Sequence, residues 1–435
     1  MIETLKPIIL DFQEVELDTG VPRHLKIRTV PDKATVCIGV RRSGKSTYLF
    51  QVIKRLLDDG VSRENILYLN FFDDRLHNLR QVGLGVITDA YYSLYPEKKN
   101  TETVYCFFDE IQAVPGWEPF VDRLMRTEKC EVYITGSSAR MLSKEIATQM
   151  RGRALSWELF PFSFREFLDY KQIDVTGHLS TKKRLLVQKA FEDYWETGGF
   201  PEVVGLDRHL RIKIHQEYFH AVLFRDLVER HDISHPKAVK DLAHRLIDNT
   251  ASLYSINSLT GYLKSLGHKA PKYAVSEYLE WFEDAYFLFT VRIFDASLAR
   301  SKTNPKKIYC VDHAMVTSVA SGILVNTGHL LENLVFRALR RVTPDIWYCK
   351  TKGGMEVDFL AQLQDRSRML VQVCESMADP QTRKREIAAL TEAMAEYGLK
   401  SGTVVTRNEE DQIKVDAGKI EVVPAWRFLL NLPES

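Results

Sequence analysis

The chain has 435 residues, too many for one ordinary hydrophobic core, so about two to four domains are expected. Hydrophobic residues make up 45% and charged residues 27%, which excludes a disordered or a largely membrane-embedded chain. With 59 basic and 58 acidic side chains the formal net charge is +1, so any surface for nucleic acid or for an anionic membrane has to be local.

The first residues, MIETLKPIILDFQEVELD, put acidic side chains directly behind a short apolar stretch and do not form a signal peptide. No later run reaches the length of a membrane span. The six cysteines (Cys37, Cys106, Cys130, Cys310, Cys349, Cys374) are scattered without metal-ligand spacing, several within apolar runs, which points to a reducing compartment and a cytoplasmic protein.

Residues 34–40 form an apolar, β-branched run ending near Gly39, a buried strand. Lys45 to Leu57 carries helical spacing, and the DDG at 58–60 stops it. Further strands are predicted at NILYLNFF (65–72), VYCFFD (104–109), EVYITG (131–136) and ALSWEL (154–159), with helical segments between them. Strands alternating with helices imply a parallel sheet covered on both faces. This first domain spans 1–160.

From PFSFREFL (161–168) the texture becomes helical, with ETGGFPEV (196–203) as its clearest break. Residues 161–235 read as a helical linker or lid. Within 236–300 the order is helix, short helix, turn, longer helix and a strand-like YFLFTVRIF, the order of a winged helix-turn-helix. The remainder, 301–435, runs as strand KKIYCVD, a helix over 330–341, strands IWYCK, EVDFLAQL and RMLVQVCES, a helix over 380–397 and the strand GTVVT.

The chemistry concentrates in GVRRSGKS, residues 39–46, which fits G-x-x-x-x-G-K-[ST] between a predicted strand and helix. Gly39, Arg42, Ser43, Gly44, Lys45, Ser46 and Thr47 are the expected nucleotide-binding residues. Glycines let backbone N–H groups curl into an anion cradle at the positive end of a helix. Lys45 reaches the terminal phosphates, and the Ser46 hydroxyl takes a place on Mg²⁺. Downstream, VYCFFDEIQ ends a strand in Asp109, which supports Mg²⁺, and Glu110, which polarises the attacking water. After the fourth strand, Ser137 or Ser138 is placed to contact the γ-phosphate or the water, with a helix N-cap as the rival role. Arg151 and Arg153, before the fifth strand, sit where an arginine reaches a neighbouring subunit's nucleotide, with plain surface arginines as the alternative.

Together GVRRSGKST, FDEIQ, TGSSARML and RGRALSWELFPFSFREFL resemble AAA-type P-loop ATPases. With GGFPEV and the KIYCVD…ENLVF…EVDFL…LVQVCES tail, the chain is similar to a prokaryotic family in which an AAA-like domain precedes a poorly characterised C-terminal region. The resemblance implies ATP with Mg²⁺, a homo-oligomer, and an arginine acting in trans: Arg151 or Arg153, with Arg140 a weaker choice. It covers the chain from about Arg23 onward.

The tail is similar in element order to the core of restriction-endonuclease-like nucleases, which carry a helical Glu, a strand Asp and then [E/Q]-x-K. Glu332, Asp358 and Gln372 fill the first three places, Glu356 shares the face of Asp358, and Cys374 stands where Lys belongs. A cysteine supplies no cation, so the reading favours a degenerate nuclease site in which Asp358 is idle, with Lys350 or Lys352 as substitutes if cutting survives. In the winged-helix segment Lys264, His268, Lys269, Lys272 and Tyr273 are the DNA-binding candidates, opposed on the same helix by Glu277, Glu280, Glu283 and Asp284.

The fold class expected is α/β: a P-loop AAA-like parallel-sheet domain, then a helical and winged-helix region, then a restriction-endonuclease-like α/β domain. The function expected is an oligomeric ATP-hydrolysing motor or switch on duplex or branched DNA. The alternative is a nucleotide-gated regulatory ATPase that docks a protein partner through its C-terminal half.

Overall fold

The computed structural model describes residues 1–136, 150, 152–233, 235–295, 297–320 and 326–433. It divides into two compact units, Met1–Phe160 with Asp284–Tyr286, and Pro161–Glu283 with Phe287–Ser435.

In the first unit the strands are β1 (Ala34–Ile38), β2 (Ile66–Asn70), β3 (Val104–Asp109), β4 (Cys130–Gly136) and β5 (Ala154–Glu158). They form one sheet in the order β2-β3-β4-β1-β5, and every pairing in it is parallel. Because the strands run the same way, their C-terminal ends share one edge, the edge at which open α/β sheets bind ligands. Helix α1 (Ile2–Glu14), absent from the sequence reading, buries Leu5, Ile8 and Ile9, and α2 (Lys45–Asp58) follows β1 directly. Buried Tyr48, Leu49 and Val52 of α2 pack with Cys37, Tyr68 and Phe107 of the sheet. A third helix, α3 (Trp117–Thr127), carries the apolar stripe expected of a helix lying on a sheet, with Trp117, Phe120, Val121 and Leu124 buried.

The second unit begins with a short helix at Phe164–Tyr170. Its start is a capping box: the Ser163 hydroxyl accepts from the Glu166 N–H at 3.1 Å, and the Glu166 carboxylate accepts from the Ser163 N–H at 2.7 Å. The PFSFREFL motif is therefore a helix-start signal. Helix α4 (Thr181–Thr197) runs into Gly198 and Gly199, and both glycines are required by close approach. A Cβ on Gly198 would overlap the Asp312 carboxylate, and one on Gly199 would overlap the Phe162 carbonyl. Asp312 is buried, accepts from the Gly199 N–H at 2.8 Å and pairs with Arg337 at 2.6 Å. The GGFPEV break is thus a packing device for a buried ion pair.

Helices α5 (Pro236–Asp248), α6 (Ile256–Ser265) and α7 (Lys272–Asp284) follow, with strand β6 (Leu253–Tyr254) between the first two. Strands β7 (Leu288–Ile293), β8 (Lys306–Cys310), β9 (Ile346–Lys350), β10 (Glu356–Gln362), β11 (Arg368–Val373), β12 (Ser401–Thr406), β13 (Asp411–Val415) and β14 (Gly418–Pro424) complete the strand set. All nine strands join one mixed sheet in the order β13-β14-β12-β11-β10-β9-β7-β8-β6. Helix α8 (Thr327–Val342) precedes β9, and α9 (Pro380–Tyr397) precedes β12.

Two features differ from the sequence expectation. The strand KKIYC, placed at the start of the last segment, pairs antiparallel with both β6 and β7, and β7 pairs parallel with β9. The segments read as 236–300 and 301–435 therefore share one sheet. The β13–β14 hairpin was also missed, because its strands alternate polar and apolar residues around the two-residue turn Asp416–Ala417 without a long apolar run.

Candidate functional sites

The first site lies at the C-terminal edge of the parallel sheet. After β1 the chain turns through Arg42 at φ +66° and Gly44 at φ +92°, and Gly44 caps α2. Successive reversals of this kind direct backbone N–H groups into an anion-binding concavity at a helix N-terminus. Gly39 admits no side chain, since a Cβ there would overlap the Leu159 carbonyl beside it. Lys45 is buried and its ammonium folds over the loop, donating to the Gly39 carbonyl at 3.1 Å and the Val40 carbonyl at 3.0 Å. Ser43 is fully buried, and its hydroxyl has no hydrogen-bond partner among the described residues. Arg23, upstream of the motif, donates to the Ser43 carbonyl at 2.8 Å and to the Phe160 carbonyl at 2.5 Å, fixing the loop from outside. Ser46 and Thr47 lie half-buried in the first turn of α2.

Asp109 closes β3 and is completely buried. One carboxylate oxygen accepts from the Thr135 hydroxyl, and the other accepts from the Tyr68 hydroxyl at 2.9 Å. Glu110 follows in the left-handed region at φ +56°, and its N–H donates to the Thr135 hydroxyl oxygen at 3.0 Å. Such a conformation in a non-glycine residue is uncommon, and here it re-aims the carboxylate after the strand ends. The Glu110 carboxylate accepts from the Gln112 amide at 2.5 Å. The register explains why these groups meet. Phe108 stands opposite Ile134 and Cys37 opposite Thr135, so β4 sits between the acid-bearing strand and the P-loop strand with Thr135 at its end. Burial pushes the Tyr68 hydroxyl far above its ordinary range, with the Asp109 charge adding to it, so Tyr68 stays a donor.

Sequence reasoning did not single out Tyr68 or Thr135, although Thr135 lies in the same TGSS segment as the serines chosen. Ser137, Ser138, Arg140 and Arg151 lie outside the described residues. Arg153 pairs with Asp122 of α3 at 3.0 Å, with its side chain 46% exposed.

A family model described as an AAA domain matches residues 31–168, and two models described as domains of unknown function match 188–324 and 327–428. The uncharacterized protein MJ1544 of Methanocaldococcus jannaschii is 35% identical over 436 residues, covering 98% of this chain and 94% of that protein. The chain belongs to the MJ1544 family. An uncharacterized protein of Haemophilus influenzae is 31% identical over 77% of this chain and 80% of its own length. Among solved structures, the Walker-type ATPase PABY2304 of Pyrococcus abyssi is 17% identical with a TM-score of 0.42, over 66% of this chain and 90% of that one. Cdc6p of Pyrobaculum aerophilum is 14% identical with a TM-score of 0.25, over 70% of this chain and 88% of that one. Both structural likenesses are weak. Within this MJ1544-family chain the first unit is an AAA-type P-loop ATPase domain, on its motif, its parallel sheet and the matching domain model. No helix among the described residues is long and apolar enough to cross a membrane.

The DNA-binding candidates divide. Lys264, Lys269, Lys272 and Tyr273 are exposed, Tyr273 at 70%. His268 is turned inward, its Nε2 at 2.6 Å from the Asp241 carboxylate. On α7, Glu277 and Glu280 are exposed, whereas Glu283 accepts from the Thr290 N–H at 2.9 Å.

In the tail the structure brings Glu332, Glu356, Asp358 and Gln372 together and adds a residue that the sequence reading passed over. Lys307 of β8 places its ammonium 2.9 Å from Glu332, 2.9 Å from Glu356 and 2.8 Å from Asp358. Lys350 and Lys352, the substitutes offered by the sequence, are exposed. Asp358 is not idle. Its Oδ1 accepts from Lys307 and its Oδ2 from the Val373 N–H at 2.9 Å, while Gln372 accepts from the Asp358 N–H at 3.1 Å. The signal for Lys307 was its spacing from Tyr309 on a buried strand. Period-two alternation puts both on one face, and the Tyr309 hydroxyl donates to Glu332 at 2.7 Å.

Proposed function

We propose that this chain is an oligomeric ATPase of the AAA type that couples ATP hydrolysis to work on duplex or branched DNA. The observation that carries the hydrolytic part is the Asp109–Thr135–Glu110 arrangement on the same sheet edge as the P-loop. The residues fit a Mg²⁺-bound nucleoside triphosphate. The loop turns its amides inward, the buried Ser43 hydroxyl lacks a partner among the described residues, and Lys45 is an ammonium held within the loop. Gly39, Arg42, Ser43, Gly44, Lys45 and Thr47 would cradle the phosphates, and Ser46 and Asp109 would hold the metal. When bound, Mg²⁺ neutralises charge on the phosphate oxygens. Tyr68 and Thr135 orient the Asp109 carboxylate through their hydroxyls, and Glu110 accepts the proton of the attacking water. Arg151 or Arg153 serves a neighbouring subunit's site.

The DNA part rests on four exposed side chains, Lys264, Lys269, Lys272 and Tyr273, clustered at the α6–α7 turn. Three ammonium groups and one aromatic ring suit phosphate contact and base stacking. The exposed Glu277 and Glu280 on α7 favour the second reading, a nucleotide-gated regulator that docks a protein partner through its C-terminal half. ATP turnover measured alone and with single-stranded, duplex and branched DNA separates the two. Stimulation by one DNA form supports the motor, and slow turnover indifferent to all three supports the regulator.

A further inference from the structure

The acid cluster of the nine-stranded sheet already holds a cation, and that cation belongs to the protein. Glu332 on α8 and Glu356 and Asp358 on β10 converge on one point, which the Lys307 ammonium occupies at 2.8–2.9 Å from each. Those are charge-assisted hydrogen-bond lengths, longer than the ~2.0–2.1 Å of a Mg²⁺–oxygen bond. The ammonium donates to Glu332 and to Asp358 and forms an ion pair with Glu356. Two of the carboxylates accept further donors from inside the fold, Glu332 from the Tyr309 hydroxyl and Asp358 from the Val373 N–H. Lys307 is 4% exposed by side chain, Glu332 9% and Asp358 10%, while Glu356, at 32%, is the side of the cluster that meets water.

The donor set therefore does not fit the divalent ion that the nuclease-like element order implies. We propose that the Lys307 ammonium is the resident cation of this site, standing in place of a divalent metal and tying β8, α8 and β10 into a non-cutting platform. The missing [E/Q]-x-K lysine at Cys374 is thereby not replaced by a catalytic one. Burial works against a charged Lys307, and the Asp358, Glu332 and Glu356 carboxylates outweigh it, so the amine stays protonated. A protonated amine hydrogen-bonded to Glu332 and Asp358 and ion-paired with Glu356 repels a metal from the same oxygens.

The test uses the full-length protein without nucleotide and Mn²⁺ as the probe, read by electron paramagnetic resonance. Wild type and Asp358→Asn should bind the same amount of Mn²⁺, because the wild-type site takes none. Lys307→Met, close in shape and uncharged, should gain one Mn²⁺ per chain, bound at least about tenfold tighter than by wild type since the repelling charge is gone. Its thermal midpoint should fall without Mn²⁺ and recover with it. A wild-type Mn²⁺ signal that Asp358→Asn abolishes overturns the proposal. So does a folded Lys307→Met protein that gains no Mn²⁺, and so does Mn²⁺-dependent DNA cleavage by wild type that Lys307→Met removes. If Lys307→Met does not fold, the comparison of wild type with Asp358→Asn decides alone.

Discussion

The Thr135 hydroxyl donates to the Asp109 carboxylate while its oxygen accepts from the Glu110 N–H at 3.0 Å, so one small side chain holds both acids of the candidate nucleotide site. Thr135→Val keeps the shape and removes one partner each from the buried Asp109 carboxylate and the Glu110 N–H. Losing a hydrogen bond to a charged group costs about 1.5–3 kcal/mol, which predicts a turnover loss of roughly tenfold to a hundredfold with a smaller change in ATP affinity. Thr135→Ser should retain most of the rate. Steady-state ATPase assays beside equilibrium nucleotide titrations give both numbers. Equal rates for Thr135→Val and wild type would remove Thr135 from the site.

Lys45→Ala and Glu110→Gln should fail differently. Lys45 sits in the phosphate loop, so its loss should weaken nucleotide binding sharply. Glu110→Gln should bind nucleotide as wild type does and turn it over slowly, because an amide does not take the proton of water. Wild-type turnover by Glu110→Gln refutes its role as the base.

Arg153 pairs with Asp122 at 3.0 Å on a half-exposed surface, where such a pair contributes only about 0–1 kcal/mol to stability. The residue is therefore available for a neighbour at little cost to the fold. A double Arg151→Ala, Arg153→Ala variant should fold normally and hydrolyse ATP slowly. Mixing it with Lys45→Ala should restore part of the turnover, since an arginine supplied in trans is worth about 10³ or more in rate. Specific activity that stays constant down to the monomer would sink the trans arrangement.

If DNA lies along the α6–α7 turn, replacing Lys264, Lys269 and Lys272 with Glu should weaken binding for every sequence. The slope of log affinity against log salt should become shallower by roughly two to three, about 0.9 for each phosphate that a lysine no longer neutralises. An unchanged slope places the DNA elsewhere.

Acid should loosen the second unit through His313. Burial holds its imidazole down to about 4, against an ordinary 6.5, and its Nε2–H donates to the Trp195 carbonyl at 3.0 Å. Between those values the unfolded chain binds the extra proton, so stability is full above pH 6.5 and drains as pH falls toward 4, by at most about 3 kcal/mol. Asp312 acts in the same direction at lower pH: burial opposes its charge, and Arg337 outweighs burial and holds the carboxyl below its usual range. His215 is likewise held down by burial. Urea melts at pH 7 and pH 5, followed by tryptophan fluorescence, should show the loss, and His313→Gln should flatten it.

The P-loop and the Asp109–Glu110 pair were legible in the sequence because they are local. A strand, a turn of fixed length and a helix start are written in consecutive residues, and the acid pair follows its own strand. The strand carrying Lys307 was legible for the same reason. What the local pattern did not carry was pairing across distance. Thr135 meets Asp109 because β4 lies between β3 and β1, an order that sequence does not state. Asp312 and Arg337 come to Gly198 and Gly199 across more than a hundred residues, so the glycines read only as a break. The motif-based reading left the tail without a cation at Cys374. Tertiary structure supplied one from β8, because a buried cluster of carboxylates has to be neutralised by whatever positive side chain the sheet brings within hydrogen-bond reach.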